Sequence, residues 1–385
     1  MSAYYAPAFV YGGPPRSIHG LCHALHARGL DLTVFTTDAN GAGALPPSVT
    51  AGSRYEGVAV RYFPRSRPRI LFGSRTLESA LGAELPSASV VHIHGLWNRV
   101  VWSAARAANR AGVPYVLSPR GMLEPAALAH HAWRKRIALA LFDRRVLDGA
   151  ALVHATSPRE AGTVAAWVPH TRVVTIPNGI DPAGPPVLSR AELGLPEGVP
   201  IVSFIARLHA IKRPDLVVDA LVRMRAAHPQ AHLVIAGPDE HGLWPGLVAR
   251  AGEARGSVSW IGPVDRQQRD SLLGHAAALV MCSDSESFGM SVLEAMAAGT
   301  PVVVTDTCGW DEVARYGSGL VVEQDAAAIA RALATLLDDP PAARAMGERG
   351  RARAVEFYGW DAIAASFEAE YRALVPVSRA AVPAS

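Results

Sequence analysis

The feature that most restricts this chain is a rhythm. Short runs rich in Val, Ile and Leu recur from one end to the other, and Ala-rich stretches with helical spacing fill the gaps. The runs are DLTVFTT, VAVRYF, SVVHIHG, PYVLSP, ALVHATS and VVTIPNG in the first half, then PIVSFIA, AHLVIAG, SVSWIG, ALVMCS, PVVVTD and GLVVE. Most are continuously apolar rather than alternating, which marks strands buried on both faces. Such strands separated by helices predict an α/β fold of doubly wound parallel sheets.

Length sets how many such sheets there are. A chain of 385 residues exceeds one core, and about 150 residues per domain predicts two. The break falls in IPNGIDPAGPPVLSRAELGLPEG, Ile176 to Gly198, which is rich in Pro and Gly. The expectation is two Rossmann-like domains, 1–182 and 183–359, facing a cleft that takes the ligand. Residues 360–375 read as a terminal helix, and the tail after Val375 as frayed. The first strand is irregular. Only Ser2 to Tyr5 precede Pro7 ahead of the Gly12–Gly13 turn, so that strand is expected to be a stub whose natural start lies upstream.

Several function classes drop out on composition. Half the residues are hydrophobic and 18% are charged, as in a globular chain. No segment reaches the roughly 18 apolar residues of a membrane span, and the opening residues lack the pattern of a signal peptide. A net charge of +3 does not make a nucleic-acid binder, although it leaves room for local basic patches. Cys22, Cys282 and Cys308 are odd in number and have no C-x-x-C spacing, which reads as reduced thiols in a cytoplasmic protein. His130 and His131 have no third ligand at a useful spacing, so no metal site is expected.

Chemistry concentrates in SESFGMSVLEAMAAGTP, Ser285 to Pro301. The run ALVMCS ends a strand, a loop follows, and a helix is expected to start near Met290 or Ser291. Loops at the carboxyl ends of parallel strands are where α/β folds bind ligands. Backbone amides of Phe288, Gly289 and Met290 would face the ligand, Gly289 would allow close approach, and the helix N-terminus would favour a phosphate. Glu286 before the turn and Glu294 after it each offer two acceptor oxygens, which suits adjacent sugar hydroxyls. In FIARLHAIKRPDLVVDAL, Arg207 and Lys212 lie between a strand and a helix starting near Pro214. Two cations converging there would suit a pyrophosphate.

The glutamate pair, the Arg-x4-Lys, the IPNGID segment and the terminal helix together resemble the retaining GT-B glycosyltransferases of family 4, in the branch found in polysaccharide biosynthesis. The resemblance covers nearly the whole chain. It implies a nucleotide-diphosphate-sugar donor as co-substrate, with no further cofactor, and a glycan or lipid-linked glycan acceptor. Arg207 and Lys212 would bind the diphosphate. Glu286, helped by backbone from Phe288 to Ser291, would hold the transferred sugar, and Glu294 the ribose. Gly12 and Gly13 would approach the phosphate or acceptor. Base contacts would fall near Trp260 to Pro263. The N-terminal domain would take the acceptor and the C-terminal domain the donor, and the terminal helix would cross back onto the first. The leaving phosphate would accept the acceptor's proton in a front-face reaction with retention. Many relatives carry His-Gly where this chain reads SPRGMLEP, with Arg120 before Gly121. An arginine cannot act as a base, but it can bind a phosphate or a hydroxyl. His94 and Asn178 are further candidates on the acceptor side. The absence of Asp-x-Asp speaks against a metal-clamped diphosphate.

Two basic stretches in the first half, around Arg65, Arg67, Arg69 and Arg75 and around Trp133, Arg134, Lys135 and Arg136, suit an anionic membrane surface. They suggest peripheral attachment at the inner face of the cytoplasmic membrane. The rival readings are a nucleotide-sugar-binding protein with weak or no turnover, and another GT-B enzyme such as a sugar-nucleotide epimerase.

Overall fold

The computed structural model describes residues 1–129 and 132–375. His130, His131 and the tail beyond Val375 lie outside the described residues. Each apolar run of the sequence contains a strand. The chain forms two compact units, Met1–Gly179 with Trp360–Ser385, and Ile180–Gly359. The division at Gly179 comes slightly before the position expected from the Pro- and Gly-rich segment.

In unit 1, β1 (Thr33–Thr37) pairs in parallel with β2 (Val58–Phe63), and Arg54–Tyr55 adds a short antiparallel edge. A second sheet runs β3 (Val91–His94), β4 (Tyr115–Ser118), β5 (Leu152–Ala155) and β6 (Val173–Thr175), all parallel. The N-terminal residues join the two sheets. The Ser2 amide donates to the Phe35 carbonyl at 3.2 Å, and the His94 amide donates to the Met1 carbonyl at 3.0 Å. The segment expected to be a stub therefore contributes a single bridge, Ser2 to His94.

Helices α1 (Gly13–Ala27), α2 (Arg99–Ala111) and α3 (Pro158–Trp167) cover these strands. Asn98 and Ser157 cap α2 and α3, each accepting an amide that the first helical turn would leave without a partner. The terminal helix, Trp360–Leu374, belongs to this unit. Its Ile363, Phe367 and Tyr371 pack with Leu21 and Leu25 of α1 and with Val116 and Leu152. The Trp360 indole lies so close to Gly20 and Gly179 that a Cβ on either would overlap the ring. Bulk at those two positions would push the terminal helix off the unit.

Unit 2 is one six-stranded parallel sheet built from β7 (Ile201–Ile205), β8 (His232–Ala236), β9 (Val258–Trp260), β10 (Ala278–Met281), β11 (Val302–Thr305) and β12 (Gly319–Val322). In space the order is β9-β8-β7-β10-β11-β12, the doubly wound order with its reversal between β7 and β10. The central strands are buried on both faces, as their unbroken apolar runs require. Truncating a side chain such as Leu233 or Leu279, both fully buried, would cost about 2–5 kcal/mol. Helices α4 (Pro214–Met224), α5 (Arg266–His275), α6 (Met290–Ala298) and α7 (Pro340–Tyr358) complete the unit.

Candidate functional site

In unit 2, the reversal of strand order puts the ends of β7 and β10 side by side. After β7 the chain passes Arg207 into a single 3-10 turn, Ala210–Lys212, where the His209 ring accepts the Ile211 amide at 3.2 Å. Arg213, with φ at +53°, then redirects the backbone into α4. The loop after β10 is tied to this one. The Asp284 amide donates to the Ile211 carbonyl at 2.8 Å. Arg213 donates to Asp215 at 3.0 Å and to Asp284 at 3.2 Å, and its hydrogen bonds to these carboxylates, Asp215 foremost, push the guanidinium pKa up. Gln324 closes the frame, donating to the Cys282 carbonyl at 2.8 Å.

This frame carries the residues singled out in the sequence. Lys212 forms an ion pair with Glu286, which also accepts from the Ser283 hydroxyl at 3.4 Å. Arg207 is half-exposed, and its only ion-pair contact among the described residues is Glu240 at 3.9 Å. The two cations expected to converge are thus partnered differently: the short turn carries Lys212 to the acidic loop, where opposite charge holds it. Helix α6 starts at Met290, and Gly289 precedes it with φ at +85°. A Cβ there would come within 2.7 Å of the Trp310 indole nitrogen, which donates to the Phe288 carbonyl. Met290 and Ser291 form the first turn, whose amides have no intrahelical acceptor. At the end of β9 the Trp260 indole donates to the Gly237 carbonyl at 2.8 Å.

Glu294 sits one turn into α6 and accepts from Arg269 Nη1 at 2.7 Å. Sequence reasoning passed over Arg269. A signal was available, because Arg269, Leu272 and Leu273 share the inward stripe of α5, and an arginine on an apolar stripe needs a buried partner.

Unit 1 gathers the other candidates. Arg120, held at φ +54°, donates from Nε to His94 Nδ1 at 3.3 Å and from Nη1 to Asn178 Oδ1 and Ser17 Oγ, both at 3.1 Å. Gly12 and Gly13 sit at the start of α1, four residues before Ser17 in the case of Gly13. The turn that presents Arg120 is fixed by Glu160, a fully buried acid. It accepts from the Gly121 amide at 2.6 Å, the Thr156 amide at 2.7 Å and the Thr156 hydroxyl at 2.6 Å. The sequence signal was S-x-x-E at Ser157, normally a helix cap. Here the acid reaches past the cap to a neighbouring turn.

Behind Arg120 runs a chain of hydrogen bonds whose direction can be assigned. His154 Nε2 lies 2.7 Å from the Ile176 carbonyl, so Nε2 carries the proton. Burial lowers the His154 pKa to about 3, so the ring is neutral and Nδ1 accepts the Ser118 hydroxyl at 2.7 Å. That hydroxyl has one proton, so the 2.6 Å contact to His92 Nε2 has His92 donating. His92 Nδ1 then accepts from Tyr371 at 2.6 Å. Three strands, the residue that follows β6 and the terminal helix are joined by one neutral relay.

Two residues of the basic stretches are not surface charges. Arg65 has 4% of its side chain exposed and pairs with Asp38 at 3.0 Å. Lys135 donates back to the Ala127 carbonyl. Close partners outcompete solvent for both. Arg67, Arg69, Arg75, Arg134 and Arg136 are exposed, as are Trp133, Ile137 and Leu141.

Comparison with known proteins follows this geometry. Residues 12–179 match the family described as glycosyl transferase 4-like domain, and residues 188–353 match glycosyl transferases group 1. The chain is 31% identical to a D-inositol 3-phosphate glycosyltransferase of Streptomyces scabiei over 94% of this chain and 86% of that one. It is 28% identical to a glycogen synthase of Mycobacterium tuberculosis, over 97% and 94%. Among solved structures it resembles a sucrose-phosphate synthase from Thermosynechococcus elongatus, with a TM-score of 0.73 and 25% identity over 94% of both chains. The Anabaena protein HepE, solved with UDP and glucose, shares the fold at a TM-score of 0.74 and 18% identity, over 97% of this chain and 98% of that one.

Proposed function

From the premise that this chain belongs to the GT-B glycosyltransferases of the family 4 type, we propose that it moves a sugar, with retention, from a nucleotide-diphosphate sugar to a glycan or lipid-linked glycan acceptor. The observation that carries the reading is the pair of loops after β7 and β10. These loops lie at the strand reversal and carry Arg207, Lys212, Glu286 and the residues leading into α6, which supports the reading. Arg207 and Lys212 bind the diphosphate and stabilise the charge that builds on it as the bond to the sugar breaks. Glu286, paired with Lys212, is a poor nucleophile and a good holder of sugar hydroxyls. Glu294, oriented by Arg269, takes the ribose. The acceptor hydroxyl bonds to the anomeric carbon on the face the phosphate leaves, and its proton passes to the leaving phosphate oxygen. No residue need act as a base, consistent with an arginine at position 120. Unit 1 supplies the acceptor side through Arg120, His94 and Asn178.

The test is thermal unfolding with UDP, GDP and ADP and their sugar conjugates, on wild type and Arg207→Ala. A ligand at one hundred times its dissociation constant stabilises by about 2.7 kcal/mol. A shift with one nucleotide, reduced in the variant, is expected. No shift with any of them sinks the donor assignment. Product with retained anomeric configuration separates a transferase from a binding protein or an epimerase.

The exposed Trp133, Ile137 and Leu141 beside Arg134 and Arg136 support a peripheral role at an anionic membrane, at the inner face of the cytoplasmic membrane. Among the described residues no helix is long and apolar enough to cross one. Flotation with vesicles containing anionic lipid at low salt should carry the protein up, and Trp133→Ser with Arg134→Ser should weaken it. Equal flotation with neutral vesicles removes the electrostatic part of the idea.

A further inference from the structure

Arg120 is a buried cation that no carboxylate touches among the described residues. Its three hydrogen-bonded partners, His94, Ser17 and Asn178, are all neutral acceptors, and it makes no ion pair among the described residues. The charge of Glu160 favours the guanidinium, but its oxygens are held by Gly121 and Thr156. The N-terminal amine, held by the His92 carbonyl at 2.8 Å, adds no negative charge. Desolvating a guanidinium with no carboxylate in contact is costly, and an anionic ligand would offset that cost.

The protons left over point the same way. Nε and Nη1 of Arg120 are committed, while Nη2 has no acceptor among the described residues. His94 receives Arg120 on Nδ1, so its proton sits on Nε2, which also has no protein partner there. Both residues line a small cavity with Tyr4, Pro14, Gly95 and Asn98, and none of its lining residues is Asp or Glu. The cavity therefore offers the Nη2 donors of a guanidinium and an imidazole N–H, with no carboxylate in its lining, at the start of the fifteen-residue helix α1.

We propose that Arg120 Nη2 and His94 Nε2 form a subsite for a compact phosphate-type oxyanion carried by a substrate. Identifying its owner as a substrate rests on the transferase reading; the subsite itself rests on unit 1 alone. The two protons of Nη2 on a permanent cation suit such a group, and the neutral histidine adds a donor without needing a counter-ion of its own. The phosphate belongs either to the nucleotide donor or to a phosphorylated acceptor.

The experiment titrates the full chain with inorganic phosphate, in an Arg207→Ala/Lys212→Met host that lacks the cations of unit 2. Heat and thermal shift are read, with circular dichroism to check folding. Binding is expected in this host, weakened roughly tenfold or more by Arg120→Gln and less by Arg120→Lys, which keeps the charge but not the planar guanidinium. No binding in the folded host, or equal binding with Arg120→Gln, overturns the subsite. In the wild-type background, UDP affinity weakened by Arg120→Gln assigns the oxyanion to the donor, and unchanged UDP affinity assigns it to the acceptor. UDP binding is scored separately, so failure of the subsite with UDP still bound leaves the transferase reading standing, and loss of UDP binding counts against that reading alone.

Discussion

The two units solve the same problem, holding polar groups beside a parallel sheet, by opposite means. Unit 2 balances charge against charge: Lys212 with Glu286, Arg269 with Glu294 and Asp270, Arg213 with Asp215 and Asp284. Unit 1 instead sets a neutral hydrogen-bonded relay behind Arg120, from Tyr371 through His92, Ser118 and His154 to a backbone carbonyl. Paired charges resist a change of pH and respond to loss of a partner. A neutral histidine relay responds to protons, because each ring must stay uncharged where it is buried.

Acid should separate the two most widely. His92 and His94 are held well below the ordinary imidazole range, and His154 at about 3, in each case chiefly by burial. The folded state refuses protons that the unfolded state takes up below pH 6.5, so stability falls as pH falls, from about 6.5 down toward 3. Each such ring contributes about 1.4 kcal/mol per pH unit. Asp143 opposes them. Burial raises its carboxyl to about 6, so the folded state binds a proton more readily and gains stability between about 6 and 4. It offsets part of the loss, and the three rings set the direction of the net change, so unit 1 loses stability between about pH 6.5 and 5. Unit 2 has His232 lowered in the same sense, also by burial, one ring against three. Hydrogen exchange followed from pH 7.5 to 5 should show residues 90–180 losing protection before residues 200–340. Loss at equal rates would mean the contrast does not govern stability. His154→Gln should flatten the slope of unit 1.

A smaller effect tests unit 2. Arg269 and Glu294 keep 8% and 10% of their side-chain surface exposed, so removing one partner strands the other in a dry setting. Arg269→Met should cost about 3 kcal/mol, the low end for a buried pair because some solvent remains. It should also weaken nucleotide binding by letting Glu294 swing away from the position in which it holds the ribose. Stability lost with UDP affinity unchanged would make Arg269 a structural residue only.

How much of this was legible depended on whether the signal was local. The strands announced themselves because burial on both faces leaves no polar positions in a run such as PVVVT. The turn before α6 was legible because the Ser-Phe-Gly-Met step changes hydropathy and backbone freedom together. What escaped were pairings set by the fold. Nothing near Arg120 in the chain says that Ser17, His94 and Asn178 meet it, since they are brought there by α1, β3 and the segment after β6. Arg65 read as a surface charge because its partner, Asp38, lies on a separate segment. Glu160 looked like a cap because that use is local, while its bond to Gly121 is not.

The least effect should come from the charges that unit 1 does pair. Arg172 holds Glu370 of the terminal helix through two bonds, at 2.6 and 2.8 Å, a geometry as good as the Arg269–Glu294 contact. The difference is solvent, for 57% of the Arg172 side chain is exposed. Water and salt screen such a pair, and ordering two long side chains takes back much of what remains. Arg172→Ala should therefore cost less than about 1 kcal/mol, with the difference from wild type shrinking further in high salt. The terminal helix has other anchors, the Trp360 ring against Gly20 and Gly179 and the apolar contacts of Phe367. If Arg172→Ala cost as much as Arg269→Met, geometry rather than burial would decide what an ion pair is worth in this protein, and the contrast between the units would have to be rebuilt on that basis. A small, salt-sensitive loss would confine strong ion pairing to buried contacts such as Arg269–Glu294.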